Sequence, residues 1–272
     1  MIEADTIIVS DWHLGLGIEQ HHQVKKFLND IINQKITAKK LILNGDIFDL
    51  NWMPLEKILK KYRQILNQLV KINQNNTEVV YILGNHDPLT DKQQKTVYDC
   101  FNSIGLNNII ITKGYELRYH GTIYKIMHGH HFDMTLTDHP FISKLSDLPY
   151  HFLIRLDRLF GIGLTQLVIK SVRRFYDWSK FVETKCRWYI SKKPYHGIII
   201  GHTHIPKLLT WKFKQKIKLP LSKKLKIYLE QNKVPLDFQE KKYINSGDWV
   251  EKIHCTFITI NKEGRASLHY YR

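Results

Sequence analysis

Short runs of apolar, β-branched residues recur along the chain and predict the strands of a sheet. Runs of this length are typical of strands that are buried on both faces. They occupy residues 6–9, 41–43, 79–83, 123–127 and 197–200. We therefore expect these five strands to form the centre of the fold.

Helical periodicity separates the first of these strands. Pro54 favours a first helical position, and apolar residues then follow a period of 3.6 through 55–72. A second helix is predicted over 23–32, and a weaker pattern over 97–104 ends at Gly105. Strands that alternate with helices predict an α/β fold whose sheet is covered on its faces.

The second half of the chain is less regular. Between His130 and His202 lie 71 residues, far more than one strand connection needs. Within them, 147–179 has helical periodicity with interspersed basic residues. We predict one domain over 1–272 with a helical insertion at 132–192. An amphipathic helical pair packed on the core explains the pattern, and a cap over a binding site is the alternative.

Basic residues dominate the charge of the chain, whose formal net charge is +16. Such an excess attracts nucleic acid, anionic lipid or phosphorylated substrates, but a lysine-rich surface that only aids solubility explains it as well. In residues 211–219, lysine occupies every second position, and the positions between are apolar apart from Gln215. This alternation predicts a strand with one lysine face, which is typical of an exposed sheet edge.

The composition favours a single large domain in a reducing compartment. The chain has 272 residues, of which 43% are hydrophobic. Its three cysteines, Cys100, Cys186 and Cys255, form no C-x-x-C pair and indicate free thiols. The acidic start of the chain does not resemble a signal peptide, and no apolar run is long enough to span a bilayer. We therefore expect a cytoplasmic protein.

Five polar motifs follow the predicted strands at their C-terminal ends. They are Asp11-Trp12-His13, Gly45-Asp46-Ile47-Phe48-Asp49, Gly84-Asn85-His86-Asp87, His128-Gly129-His130 and Gly201-His202-Thr203-His204. Loops at this edge of an α/β sheet converge on one crevice. The motifs offer carboxylate and amide oxygens together with imidazole nitrogens, a mixture that suits Zn, Fe, Mn or Co better than Ca. A site for two divalent cations is predicted.

In this order, the motifs resemble the signature of the calcineurin-like metallophosphoesterase superfamily. The resemblance implies a four-layer αββα sandwich of two mixed sheets. It implies that one cation is held by Asp11, His13, Asp46 and His204, and a second by Asp46, Asn85, His128 and His202. Mn is the first choice for both, with Zn, Fe or Co as alternatives. His130 is expected beside these ligands or on the substrate side.

The same resemblance assigns catalytic roles to the G-N-H-D motif. It places His86 beside the leaving group, where the imidazole would donate a hydrogen bond or a proton. Asp87 would orient that imidazole and favour its charged form. Asp49 is expected to hydrogen-bond a ligand histidine. Capping of the helix that follows Pro54 is the alternative for Asp49.

A finer resemblance lies near the C-terminus, where residues 243–251 read Y-I-N-S-G-D-W-V-E. This stretch is similar to the ending of the bacterial branch that contains UDP-2,3-diacylglucosamine diphosphatase. The resemblance implies cleavage of that lipid A precursor to UMP and a lipid monophosphate. It also implies an insertion that holds acyl chains, and peripheral contact with an anionic membrane. The best-known members of the branch have arginine where this chain has His86.

Three other functions remain open. A generic phosphodiesterase or phosphatase would use the same centre on another substrate. A nuclease would use the positive charge, but the basic segments have few stacking aromatics beyond Trp211 and Phe213 and contain no recognisable nucleic-acid-binding motif. A non-catalytic scaffold of the same fold would have lost metal ligands, whereas all seven expected ligands are present here.

Overall fold

A computed structural model describes residues 1–17, 20–88, 90–106, 108–119, 121–133, 178–214, 238–250 and 255–271. The helices in these ranges are α1 (His21–Ile32), α2 (Leu55–Lys61), α3 (Arg63–Gln74), α4 (Asp91–Ser103) and α5 (Trp178–Ser191), with a 3-10 helix at His130–Phe132. The strands are β1 (Ile2–Glu3), β2 (Thr6–Val9), β3 (Ile36–Thr37), β4 (Lys40–Asn44), β5 (Glu78–Ile82), β6 (Ile110–Thr112), β7 (Tyr115–Tyr119), β8 (Thr122–Ile126), β9 (Gly197–Ile200), β10 (Lys207–Lys214), β11 (Phe238–Asn245), β12 (Thr256–Ile260) and β13 (Ala266–Tyr270).

Two mixed sheets form the centre of the molecule. The larger sheet has six strands in the order β13-β12-β2-β4-β5-β6, and its neighbours from β2 to β6 are parallel. The smaller sheet has five strands in the order β10-β11-β9-β8-β7, with β11, β9 and β8 parallel. β1 and β3 form a separate parallel pair. Successive parallel strands bring their C-terminal ends to one edge of each sheet.

The central strands bury both faces, as their continuous apolar runs predict. In β2, Ile7 and Val9 pack in a core shared with α1, α3 and α4, whereas Ile8 packs in a second core. This second core also contains Tyr124 and Ile199 of the smaller sheet, so it lies between the two sheets. The alternation follows from the two-residue period of a strand.

The outer face of the smaller sheet is covered by α5. Val182, Cys186 and Ile190 of this helix recur at a spacing of four and pack on residues of β9 and β11, including Ile198 and Tyr243. The layers are therefore helices, sheet, sheet and helix. The predicted four-layer αββα sandwich of two mixed sheets is confirmed.

The helical pattern over 55–72 proves to be two helices. α2 ends at Lys61 and α3 begins at Arg63, with Tyr62 between them at φ −102° and ψ 20°. Tyr62 is buried, so packing holds the break. The apolar stripe continues across it because residues of both helices pack in the same core. The helices predicted over 23–32 and 97–104 lie within α1 and at the end of α4, which Gly105 follows at φ 95°.

Some predicted features fall outside the described residues. The helical insertion at 132–192 is described only at its two ends, where α5 belongs to the outer layer of the sandwich. The strand predicted over 211–219 begins earlier, as β10, and is described to Lys214. Among the helices of the described ranges, none combines the length and apolar character that crossing a bilayer requires.

Candidate metal centre

The five polar motifs meet at one edge of the two sheets, each directly after a central strand, as predicted. The motif at Asp11 follows β2, and those at Asp46 and Asn85 follow β4 and β5 of the same sheet. The motifs at His128 and His202 follow the neighbouring strands β8 and β9 of the smaller sheet. Parallel neighbours thus bring side chains from distant parts of the chain together.

Six of these side chains, together with His86, form three overlapping groups of potential metal ligands. Within each group, the candidate ligand atoms lie within 4.8 Å of one another. The groups are Asp11 with His13 and His204, Asp46 with His128 and His202, and His13 with Asp46 and His86. The first two correspond to the two predicted cation positions, apart from the bridging carboxylate and Asn85.

Asp46 lies between the two positions. Its Oδ2 atom is 3.0 Å from Nε2 of His128 in one group and 3.8 Å from Nε2 of His13 in the other. On the far side, Nε2 of His204 is 3.3 Å from Oδ1 of Asp11 and 3.2 Å from Nε2 of His13. Asp46 therefore occupies the place that a bridging carboxylate requires.

Each of the four candidate ligand histidines has one ring nitrogen next to an acceptor outside the ligand set. The acceptors are Asp49 for His13 (2.9 Å), Asp248 for His204 (3.0 Å), Asp133 for His202 (3.0 Å) and the main-chain oxygen of Asn44 for His128 (3.0 Å). An acceptor at one nitrogen keeps the proton there in the neutral ring and leaves a lone pair on the other nitrogen. The expected contact between Asp49 and a ligand histidine is confirmed.

A buried polar atom in this centre shows that a cation fits. Oδ1 of Asn85 has no hydrogen-bond partner among the described residues. Burial of a polar atom without a partner costs about 1–3 kcal/mol, and a cation would satisfy this oxygen. Carboxylate, amide and imidazole donors also match the ligands that first-row divalent cations prefer. The residues present therefore fit two such cations.

The backbone of the motifs is held in a conformation that most residues avoid. Five of the seven non-glycine residues with positive φ in the described ranges are predicted ligands. They are Asp11 (54°), His13 (46°), Asp46 (50°), His202 (63°) and His204 (57°). Such conformations cost about 1–3 kcal/mol each and are common at functional sites. Strain is therefore concentrated at the predicted ligands.

Glycines allow the motif loops to approach one another closely. A Cβ atom added at Gly84 would overlap the carboxylate and the backbone nitrogen of Asp46. One added at Gly45, where φ is 85°, would overlap the imidazole of His128. The glycines in G-D-x-x-D and G-N-H-D are thus part of the site because they make room for ligands.

Charges in the centre stabilise one another. Burial alone would lower the pKa of His128, but the charges of Asp46 and Asp11 outweigh burial and raise it to about 9. Burial likewise opposes the ionised form of Asp46, but its pKa is held well below the usual value, chiefly by His128 and His86. The carboxylates therefore stay ionised at neutral pH and attract positive charge.

His86 lies at the more open side of the centre. Its side chain is 26% exposed, and its Nδ1 atom is 3.1 Å from Oδ1 of Asp49 and 3.1 Å from Nδ2 of Asn51. Its backbone N–H donates to Oδ1 of Asp46 at 2.9 Å. Burial lowers the pKa of the imidazole, but Asp46 and Asp49 more than compensate and raise it to about 9. His86 therefore carries a proton at neutral pH and is partly open to solvent.

The structure places Asp87 away from the role that the sequence analysis assigned to it. Its carboxylate accepts four hydrogen bonds, from the backbone N–H of Asp46 (2.7 Å), Phe48 (2.9 Å) and Gly84 (2.8 Å) and from the hydroxyl of Tyr81 (2.5 Å). Burial, together with Asp46, raises its pKa to about 6. Asp87 therefore ties the loops after β4 and β5 together, and Asp49 contacts the imidazole of His86 instead.

His130 keeps its predicted place near the ligands. Its ring lies 5.6 Å from that of His128 and 3.8 Å from that of His131, to which it is tilted by 31°. Burial and the neighbouring imidazoles lower its pKa to about 3, so the ring is neutral. His130 belongs to none of the three groups of potential ligands in the described residues. Its role on the substrate side remains a prediction.

The residues that the sequence analysis missed are the outer partners Asp133 and Asp248. Asp248 follows β11, which runs parallel to β9, so both strands end at the same edge. At the end of β11, Asn245 donates to the backbone oxygen of Gly201 and to Oγ1 of Thr203, both at 2.8 Å. The N-x-G-D sequence at 245–248 thus supports the G-H-T-H loop. Its position just after a strand was the signal available in the sequence.

A family model for calcineurin-like phosphoesterases matches residues 5–206, a range that includes all seven predicted ligands. The chain belongs to this family. As a calcineurin-like phosphoesterase, it is a hydrolase that acts on phosphoester bonds, and its His and Asp clusters agree with the metal dependence of the family. The outer partner Asp248 lies beyond the matched range.

Several solved structures also match this calcineurin-like phosphoesterase. An archaeal phosphodiesterase is 14% identical, with 97% of this chain and 98% of that chain covered and a TM-score of 0.42. The phosphoesterase YfcE from E. coli is 12% identical over 98% and 99%, with a TM-score of 0.40. Wild-type Vps29 from Entamoeba histolytica with zinc is 13% identical over 97% and 96%, with a TM-score of 0.39. The comparison with curated proteins gives no match.

Proposed function

We propose that this phosphoesterase uses two divalent cations to hydrolyse a phosphodiester or diphosphate bond. One cation would be held by Asp11, His13, Asp46 and His204, and the other by Asp46, Asn85, His128 and His202. The observation that carries this proposal is that four imidazoles lie around Asp11 and Asp46 and are held at their outer nitrogens. The partnerless oxygen of Asn85 supports the second position.

The residues around the centre suggest how the reaction proceeds. When bound, two such cations offset the charge of phosphoryl oxygens and lower the pKa of water. His86 would donate a proton to the leaving oxygen, since its pKa of about 9 keeps the imidazole charged at neutral pH. Asp49 would orient that imidazole through Nδ1. General acid catalysis of this kind contributes roughly 10²–10⁴-fold to the rate.

For the substrate, we propose UDP-2,3-diacylglucosamine, with UMP and a lipid monophosphate as products and Mn as the metal. The support is the similarity of residues 243–251 to the diphosphatase branch, together with the contacts of Asn245 and Asp248 to the G-H-T-H loop. Peripheral contact with an anionic membrane in the cytoplasm belongs to the same proposal, and nucleic acid does not. A generic phosphodiesterase is the second candidate, favoured by His86 at the position of the branch's arginine.

A substrate panel tests this proposal. Wild-type protein with Mn²⁺ is assayed for UMP release from UDP-2,3-diacylglucosamine, for cleavage of bis-p-nitrophenyl phosphate and for cleavage of single-stranded DNA. The variant His86→Ala is compared with His22→Ala, which removes an exposed imidazole on α1. We expect UMP release, with a loss of roughly 10²–10⁴-fold for His86→Ala and none for His22→Ala.

Each other result has a defined meaning. Cleavage of the aryl phosphodiester without UMP release would refute the proposed substrate and support the generic phosphodiesterase. Cleavage of DNA alone would establish the nuclease that the charge suggested. If His86→Ala turned over as fast as wild type, its proposed role would be wrong. Failure on every substrate by protein that binds no Mn²⁺ would favour the scaffold.

A further inference from the structure

The two histidines of the G-H-T-H loop are each held by a buried carboxylate outside the proposed ligand set. Oδ2 of Asp248 lies 3.0 Å from Nδ1 of His204, and Oδ2 of Asp133 lies 3.0 Å from Nε2 of His202. Asp248 is 1% exposed and Asp133 is 6% exposed. Both contacts are therefore made away from bulk solvent, where hydrogen bonds to charged groups are strongest.

These two contacts serve different halves of the centre. His204 belongs to the group with Asp11 and His13, whereas His202 belongs to the group with Asp46 and His128. Asp248 contacts Nδ1 of His204 and leaves Nε2, which lies 3.3 Å from Oδ1 of Asp11. Asp133 contacts Nε2 of His202. Each carboxylate therefore contacts a histidine of a different group. Asp248 contacts its histidine at Nδ1, whereas Asp133 contacts its histidine at Nε2.

The backbone around both carboxylates fixes their positions. Oδ1 of Asp248 accepts the backbone N–H of Val250 at 3.2 Å, so its other oxygen is left for His204. Asp248 also pairs with Cys255 in a parallel β-bridge. Asp133 directly follows the 3-10 helix, and its backbone N–H donates to the oxygen of His130 at 3.1 Å. Neither contact depends on a freely rotating surface side chain.

We propose that Asp248 and Asp133 are positioning residues, each of which sets the affinity of one of the two cation positions. This inference rests on the proposed two-cation centre. A carboxylate that accepts the outer N–H of a ligand histidine fixes the tautomer and orientation of the ring and makes its inner nitrogen more basic. Loss of such a partner lowers metal affinity by about 10–100-fold. Asp248 would act on the position at Asp11, and Asp133 on the position at His128.

Mn²⁺ titration of metal-depleted protein tests the proposal without an activity assay. Calorimetry gives the number of ions bound and the two Kd values, and electron paramagnetic resonance distinguishes a spin-coupled Mn pair from an isolated ion. Asp248→Ala is compared with His204→Ala, and Asp133→Ala with His202→Ala. Asp248→Asn and Asp133→Asn keep an acceptor oxygen and the side-chain shape. Their Mn²⁺ Kd values therefore test the proposal even where an alanine variant fails to fold.

Asp30→Ala is the matched control. This carboxylate on α1 accepts hydrogen bonds from Tyr271 at 2.6 Å and is paired with Lys35 at 3.0 Å, and neither partner is a histidine. For Asp248→Ala and Asp133→Ala, we expect one Kd to rise by about 10–100-fold while the other stays unchanged, with loss of the coupled Mn signal. The asparagine variants should show the same pattern with a smaller rise. Asp30→Ala should bind two ions as wild type does.

Three results would overturn the inference. If wild type bound two Mn²⁺ and both carboxylate variants kept both Kd values, the inference alone would fail and the proposed function would stand. If each variant weakened both positions equally, the assignment of one carboxylate to one position would fail. If wild type bound no Mn²⁺, the proposed function would fail first, and the inference with it.

Discussion

A single buried carboxylate, Asp49, contacts both a proposed metal ligand and the proposed proton donor. Its Oδ2 atom lies 2.9 Å from Nδ1 of His13, and its Oδ1 atom lies 3.1 Å from Nδ1 of His86. The residue is 1% exposed, so water does not replace either contact. Replacement of Asp49 is therefore expected to affect both metal binding and proton donation.

The magnitude follows from the number of acceptors. Asp49→Asn leaves one acceptor oxygen for two ring nitrogens, Nδ1 of His13 and Nδ1 of His86. The histidine that does not receive this oxygen faces the amide N–H group instead. A hydrogen bond to a charged group is worth about 1.5–3 kcal/mol, or roughly 10–150-fold. Asp49→Asn should therefore raise the Mn²⁺ Kd or lower kcat by this factor, according to which histidine keeps the oxygen. Asp49→Ala should change both.

The assay measures Mn²⁺ affinity by calorimetry and kcat at saturating Mn²⁺ for the same preparations. Asn51→Ala is the matched control, because Asn51 contacts His86 at 3.1 Å from the exposed side. This variant should alter kcat modestly and leave the Mn²⁺ Kd unchanged. If Asp49→Ala kept both quantities within twofold of wild type, the assigned contacts would have no functional role.

Three further predictions concern stability and packing. Lys241→Met should lower the free energy of unfolding by about 2–4 kcal/mol in urea denaturation, because the buried ammonium donates to three backbone oxygens at the end of α5, those of Ile190, Lys193 and Tyr195. Gly84→Ala should abolish tight Mn²⁺ binding in calorimetry, since the new Cβ overlaps Asp46, whereas Gly114→Ala has ordinary contact distances and should bind normally. Saturation at 100 times Kd should stabilise the fold by about 2.7 kcal/mol per bound ion, which chelation should reverse in a thermal melt. Unchanged unfolding curves for Lys241→Met, normal binding by Gly84→Ala, or melts indifferent to Mn²⁺ would contradict the respective prediction.

The central strands were predictable because both of their faces are buried. Edge strands gave a weaker signal, since only one side of them meets the core. β7 alternates between exposed and half-buried residues around Leu117. β11 lies inside its sheet, but it contains two lysines, and a sequence does not reveal that one of them, Lys241, is buried. The break between α2 and α3 at Tyr62 was not predictable, because no glycine or proline marks it in the sequence.

The proposed ligands were predictable because each belongs to a short motif at a strand end. Of their outer partners, Asp49 was predicted, whereas Asp133 and Asp248 were not. Asp248 meets His204 only because β11 pairs with β9, a neighbour relation that spacing along the chain does not encode. Asp87 adjoins His86 in the sequence, yet its side chain turns towards backbone N–H groups, and Asp49 makes the contact instead. Adjacency in the sequence does not determine which side chains meet.

The most direct test of the two-cation centre is turnover measured against the number of bound ions. Metal-depleted protein is titrated with Mn²⁺ while hydrolysis of bis-p-nitrophenyl phosphate and bound Mn²⁺ per chain are recorded together. Two bound ions per chain, with turnover that appears only as the second position fills, are predicted. Full turnover after exhaustive chelation, or full turnover with one ion per chain, would contradict the two-cation centre.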